Sequence, residues 1–241
     1  MINKKSPIPI YHQLEKHIKN QIEKQELQPG DILPSEREYA ETYNISRMTV
    51  RQAIMNLVSD QLLYRIKGKG TFVMGPKFEQ KLQGLTSFTE EMHARGMQTS
   101  SKLLQFEIVP AGKELAKQLG IKEYAPVYEI KRIRLAEDIP MALERTYIPA
   151  NLVMGITEEI VQHSLYQYIE NTLHLKIMDG FQLIEAAIAN EEEVKHLQIE
   201  EHSPILLMQR TTHLENKHTL EVVKSSYRAD RYKFMIDLIR Y

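Results

Sequence analysis

The 241-residue chain contains no cysteine and no tryptophan. Without thiols there is no disulfide, no thiolate metal site and no cysteine nucleophile, so stability must come from packing. An unbroken apolar run of about 18 residues, the length a membrane-spanning helix needs, is also missing. Met1-Ile2-Asn3-Lys4-Lys5 leads into Ser6-Pro7-Ile8-Pro9 and not into an apolar signal core. These absences point to a cytoplasmic protein with no membrane partner. The nine histidines include no pair at metal-ligand spacing beside a matching carboxylate, and His12, His17 and His196 read as solvated helix positions, so neither a metal nor a cofactor is expected. What is present is ordinary for a globular chain, 42% hydrophobic and 26% charged, at a length that suits two domains.

The densest information lies between Pro34 and Val73. In Pro34-Ser35-Glu36-Arg37-Glu38 the Ser35 hydroxyl can accept from the third helical N–H while Glu38 reaches back to the Ser35 N–H, a capping box that starts a helix running to about Tyr43. Asn44 suits a turn, and Ser46 caps a second helix whose apolar positions Val50, Ala53, Ile54, Leu57 and Val58 form one stripe. The other face opens with Arg47, Thr49 and Arg51. A helix pinned by its back and presenting guanidinium and hydroxyl donors from its first turn has what a major-groove reader needs. Two strand-like runs follow, Leu62–Ile66 and Thr71–Val73, separated by Lys67-Gly68-Lys69-Gly70. The glycines permit positive φ and the lysines flank a bare backbone tip, which suits a narrow minor groove. An ordinary solvated hairpin has the same pattern.

Charge divides the chain in the same place. Residues 1–76 hold 11 Lys+Arg against 8 Asp+Glu, and the remainder holds 20 against 24. The basic excess is modest, so useful DNA affinity calls for two copies on one site, a homodimer on a palindromic operator. A first helix from about Ile10 to Gln25 spaces Tyr11, Leu14, Ile18 and Ile22 to complete a small core. The expected organisation is a DNA-binding domain at 1–75, a linker at 76–82 and a second domain at 83–241.

The second domain contains a weak internal repeat. Residues 114–127 recur at 193–205, each copy reading as a short helix ending at Leu119 or Leu197, a turn with a proline, and a strand. The strands continue alike, so that Arg132 matches Arg210 and, one strand later, Glu144 matches Glu221. Two helix-hairpin copies predict an α+β domain: an antiparallel sheet of pseudo-twofold arrangement with helices on one face and a cleft where the halves meet. Strand alternation sends Lys131, Ile133 and Leu135 one way and Arg132 and Arg134 the other. Glu144 can face the two arginines, while Glu221 and Tyr227, six residues apart, share a face of the related hairpin. An exposed sheet face laced with Arg–Glu pairs also fits these residues. An architectural DNA protein without a ligand does not account for so convergent an Arg/Glu/Tyr cluster.

Three blocks in the first 73 residues, Leu33-Pro34-Ser35-Glu36-Arg37-Glu38, Ile45 through Ala53, and Gly68-Lys69-Gly70-Thr71-Phe72-Val73, together resemble the GntR-family winged helix-turn-helix. The resemblance implies that Arg37 and Arg47 reach guanine edges in the major groove of double-stranded DNA and that Gly68 enters the minor groove. A planar guanidinium pairs bidentately with guanine O6 and N7, a contact that discriminates by about 1–3 kcal/mol. Ser35, Thr49 and Arg51 suit phosphate oxygens, which set register without reading sequence.

Beyond the linker, Gly84 through Met92 with Arg95-Gly96, Arg132 through Glu144, and Lys224 through Tyr232 resemble the effector domain of the HutC subfamily, which has a chorismate-lyase-like fold. Within that subfamily the likeness is to NagR-type repressors of N-acetylglucosamine use, which respond to amino-sugar 6-phosphates. The implied protein is a repressor controlled by a phosphorylated sugar, glucosamine 6-phosphate or N-acetylglucosamine 6-phosphate. The implied phosphate pocket is Phe88 and Thr89 at a helix start, Arg132 and Arg134 on the sheet, and Ser164 before a short helix from Leu165 to Asn171. Arginine forks and helix-start N–H groups both suit a dianion. Glu144, Tyr166, Glu221 and Tyr227 would meet hydroxyls or the amine-derived group. Residues 173–180 depart from the NagR-type pattern, with a lone basic Lys176, which keeps another phosphosugar, such as a disaccharide or hexose 6-phosphate, open. An enzyme on a chorismate-lyase-like fold is the further alternative, but no base and nucleophile stand paired in the sequence.

Overall fold

Pro9 sets the backbone for the first helix, α1 (Ile10–Glu23), which buries Leu14 and Ile18 completely. Each such residue contributes about 1.5–3 kcal/mol by leaving water. α2 (Glu36–Tyr43) starts in the expected capping box, with Ser35 accepting from the Glu38 N–H and Glu38 from the Ser35 N–H, and ends at Asn44 in the left-handed region. α3 (Arg47–Ser59) is capped by Ser46 and buries Val50, Ala53, Ile54 and Leu57. The wing is the antiparallel pair β1 (Leu63–Ile66) and β2 (Gly70–Val73). Leu33, Leu63 and Val73 close this core with the three helices. Tyr11, expected in the core, is 37% exposed: it shares the face of Leu14 and Ile18 but stands in the first turn of α1.

This is a computed structural model that describes residues 2–66, 68–75, 77–82, 84–238 and 240. Lys67 at the wing turn, Pro76 in the expected linker and Gln83 at the expected start of the second domain lie outside the described residues. The chain divides into two units, Met1–Lys77 and Phe78–Tyr241. The expected linker is corrected in part: Phe78–Lys81 form a strand, β3, paired in parallel with the C-terminal β10 (Tyr232–Met235). Phe78, which looked like a linker residue, packs its ring 5.7 Å from that of Tyr232.

The second unit is built on a six-stranded sheet. After β3 come α4 (Phe88–His93), β4 (Thr99–Pro110), α5 (Lys113–Leu119), β5 (Pro126–Ala136) and β6 (Ile139–Pro149). The short helices α6 (Glu158–Gln162) and α7 (Leu165–Gln167) follow, the latter continued by one π turn, Tyr168–Thr172. Then come β7 (Ile177–Ile188), α8 (Glu191–Leu197), β8 (Pro204–Leu214) and β9 (Thr219–Arg228). The order β4-β5-β6-β9-β8-β7 is antiparallel throughout. The two repeat copies therefore meet along β6 and β9, as a pseudo-twofold requires. Helices cover both faces, not one as expected. α5 and α8 pack beneath Val127, Ile133, Leu143 and Val222, while α6 and α7 pack over Tyr128, Ile130 and Ile148 on the other. The repeat could not reveal this, because α4, α6 and α7 lie outside it.

Candidate functional site

In the first unit the arginines expected to read DNA stand on the surface, and acidic neighbours hold two of them. Arg47 and its neighbour Met48 are exposed at the start of α3, Met48 by 66%. Arg37 pairs with Glu41 one turn on, Nε to Oε1 at 2.8 Å. Arg51 pairs with Glu36 at 3.0 Å, and Arg65 of β1, which sequence reasoning did not single out, donates to the same carboxylate. Partial burial pushes Glu36 up, but the two arginines outweigh it and hold the carboxyl below its usual range. Ser35 and Thr49 both take part in helix starts: Ser35 Oγ accepts the Glu38 N–H, and Thr49 donates its N–H to the Ser46 cap, its Oγ1 lying 2.8 Å from Ser46 Oγ. Gly68 sits at φ +79° with open space around the position of a Cβ, a conformation that an L side chain reaches only with strain.

In the second unit all nine residues expected at an effector site line a single cavity. Phe88 and Thr89 come from the first turn of α4, and Ser164 and Tyr166 from the start of α7. Arg132, Arg134, Glu144, Glu221 and Tyr227 rise from one face of the sheet. Arg132 and Glu144 are cross-strand partners. The Arg132 Nε donates to Glu144 Oε1 at 2.6 Å and its Nη1 to the Val161 carbonyl at 2.5 Å, which ties the sheet to α6. Burial pushes the Glu144 carboxyl up, but Arg132 and Arg134 outweigh that and keep it below its ordinary value.

Arg134 is different. It is 3% exposed, lies over the Phe88 ring at 4.8 Å and donates from Nη2 to Thr89 Oγ1 at 2.9 Å. Its Nε and Nη1 are buried with no hydrogen-bond partner. Burial, together with the charge of Arg132, lowers its pKa to about 10. A charged, half-satisfied guanidinium in a cavity wall is a site that an anion completes.

Glu221 accepts from Tyr166 at 2.6 Å and from Thr212 at 3.0 Å. Burial pushes its carboxyl up, as it does that of Glu91 in the same wall.

Sequence reasoning left out Arg210, although the repeat had matched it to Arg132. It lines the cavity, donating to Gln182 at 2.8 Å and to the Thr86 carbonyl at 2.9 Å. The match does not hold in register. Arg132 lies opposite Glu144, whereas Arg210 lies opposite Val223 and Glu221 opposite Thr212. Glu221 therefore bonds a tyrosine and a threonine where Glu144 bonds an arginine. Gln80 of β3 was also missed, because nothing in a four-residue polar strand marks it as a wall of the cavity. Lys176, the lone basic residue of the divergent segment, pairs with Glu215 on the surface.

A winged helix-turn-helix joined to a sheet domain with a polar, arginine-lined cavity defines a ligand-responsive transcriptional regulator. The bacterial regulatory proteins, gntR family, match residues 10–73, and the UTRA domain matches residues 94–233; the chain belongs to the GntR family, in its HutC-like branch. It is similar to the HTH-type transcriptional repressor NagR of Bacillus subtilis (strain 168), with 50% identity over 97% of this chain and 96% of that one. It is also 35% identical to the mannosyl-D-glycerate transport/metabolism system repressor MngR of Escherichia coli (strain K12), over 95% of each chain. Among solved structures, PhnF from Mycobacterium smegmatis superposes with a TM-score of 0.66 at 28% identity, covering 96% of this chain and 99% of that one. These relatives are regulators, and the chain is a DNA-binding transcriptional repressor of the GntR/UTRA type, not an enzyme.

Proposed function

We propose that operator binding by this repressor is controlled by a phosphorylated amino sugar, glucosamine 6-phosphate or N-acetylglucosamine 6-phosphate. The observation that carries the reading is Arg134, whose two buried, unpartnered N–H groups border a cavity lined by further arginine, carboxylate and phenol groups. The phosphate sits on Arg134 and Arg132 beside Thr89 and Ser164. Glu144, Glu221, Tyr166 and Tyr227 then take the sugar hydroxyls and the nitrogen substituent, since carboxylates accept from several hydroxyls and phenols donate or accept. Similarity to NagR across nearly the whole chain supports the amino sugar over other phosphosugars.

The repressor acts as a homodimer on a palindromic site. Each reader places Arg37 and Arg47 on guanines, Ser35, Thr49 and Arg51 on phosphates, and Gly68 in the minor groove. Effector binding favours a conformation whose readers no longer match the half-site spacing, and a tenfold loss of operator affinity needs about 1.4 kcal/mol of coupling.

Thermal unfolding against a panel of sugar 6-phosphates and their free sugars tests this. A ligand at 100 times its Kd adds about 2.7 kcal/mol of stability. A rise in Tm with the two amino-sugar phosphates and not with the free sugars is expected. A response confined to another phosphosugar would move the assignment, and no response would remove the phosphate pocket.

A further inference from the structure

The strand that opens the second unit supplies a wall of the cavity, and its inward side chain is unsatisfied. β3 begins at Phe78, the first residue after the DNA-reading unit. Along it Glu79 and Lys81 are exposed, while Gln80 is 7% exposed and lines the cavity. The Gln80 Oε1 is buried with no hydrogen-bond partner. The same cavity therefore presents unpartnered donors on Arg134 and an unpartnered acceptor on Gln80. A ligand with an anionic end and a neighbouring O–H or amide N–H satisfies both.

A second connection reaches the same strand through α4. Thr89, in its first turn, accepts from Arg134. Just beyond its last turn, Arg95 donates from Nη1 to the Glu91 carbonyl at 2.7 Å and pairs with the Glu91 carboxylate at 3.0 Å. From Nη2 it donates to the Glu79 carbonyl of β3 at 2.9 Å, and its guanidinium lies over the Phe78 ring at 5.9 Å. Arg95 thus fastens the helix that borders the cavity to the backbone and the ring of β3. The strand itself belongs to a two-stranded parallel pair of four residues a side, separate from the main sheet. So short a pair is among the less stable parts of a fold, and small differential contacts can shift it.

We propose that β3 is the output strand of the pocket. Gln80 Oε1 accepts a hydrogen bond from a hydroxyl or amide N–H of the bound phosphosugar. That contact, together with the Arg95 clamp, sets the position of the strand from which the chain continues into the DNA-reading unit. The inference rests on the phosphosugar reading of the same cavity, and adds that Gln80 is a ligand-contacting residue and Arg95 a positioning residue. Coupling follows if the ligand prefers one strand position over another.

The test uses the full chain and a duplex selected from a random pool by the wild-type protein. Duplex Kd is measured with and without N-acetylglucosamine 6-phosphate and glucosamine 6-phosphate, and sugar phosphate Kd is measured by calorimetry without DNA. The wild type should lose duplex affinity by about tenfold or more on ligand addition. Gln80→Leu should bind the duplex normally, bind the sugar phosphate about tenfold more weakly, and respond by less than about twofold even at saturation. Arg95→Met should keep its sugar phosphate Kd within about twofold and still lose the response, a split that simple destabilisation does not produce. If Gln80→Leu fails to bind the duplex without ligand, Arg95→Met decides. Wild-type responses in the variants would overturn the inference while leaving the phosphosugar reading intact. A wild type that binds neither sugar phosphate would overturn both.

Discussion

Replacing Arg134 with methionine separates a binding role from a structural one, because the two call for opposite results in the ligand-free protein. The guanidinium has one hydrogen bond, to Thr89, a cation–π contact with Phe88, and two buried nitrogens with no partner. Losing the charged hydrogen bond costs about 1.5–3 kcal/mol, and losing the cation–π contact about 1–2 kcal/mol. Removing two unsatisfied donors returns about 1–3 kcal/mol each. These nearly cancel, so ligand-free stability should change by less than about 2 kcal/mol. Breaking an ordinary buried ion pair costs about 3–5 kcal/mol.

Ligand binding should behave differently. If a phosphate takes both free N–H groups, the variant loses about 3–6 kcal/mol of charge-assisted hydrogen bonding, which is at least about a hundredfold in Kd. At a concentration 100 times the wild-type Kd, the wild type gains about 2.7 kcal/mol, and a variant weakened a hundredfold gains only about 0.4 kcal/mol. Urea unfolding with and without N-acetylglucosamine 6-phosphate reads both effects in one series. A ligand-free loss above about 3 kcal/mol, or an unchanged ligand-induced gain, would refute the reasoning.

Arg132→Ala is expected to destabilise the second unit by about 3–5 kcal/mol in urea, because it strands the buried Glu144 carboxylate and frees the Val161 carbonyl; loss of induction in that variant would not by itself identify a ligand contact. Arg47→Ala should abolish sequence-specific binding in a gel shift and leave the sugar phosphate Kd unchanged. Glu36→Gln should free Arg51 and Arg65, tighten binding to random duplex DNA and steepen its salt dependence, since released guanidiniums displace more counterions. Glu221→Gln should show a pH-dependent gain. Burial raises the Glu221 pKa in the folded state, so the folded chain holds that proton more tightly than the unfolded one. Stability from this group is full below the unfolded carboxylate value and falls as pH rises towards the folded value. The variant escapes that loss, so its stability relative to wild type should be greater at pH 7.5 than at pH 4, and equal differences at both would count against a raised pKa.

The DNA-reading half was legible because its signals are local. The Ser35 capping box, the Ser46 cap, a left-handed Asn44 and the Val50–Leu57 stripe each act within one or two helical turns, and tertiary packing only had to agree with them. The pairing of Arg132 with Glu144 was equally open, since strand alternation and a short hairpin determine which side chains share a face. What the sequence could not decide is what reaches the cavity from a distance in the chain. Gln80 comes from a segment whose strand exists only because residues 232–235, at the other end of the domain, lie beside it. Arg210 and Glu221 matched Arg132 and Glu144 in sequence, yet Arg210 pairs with Val223 and Glu221 with Thr212, and such a shift of register is invisible to composition and periodicity. Most of all, the unpartnered nitrogens of Arg134 are a property of the enclosure: residue type supplies the charge, but only the packing of Phe88, Thr89 and the sheet around it buries those nitrogens away from protein partners.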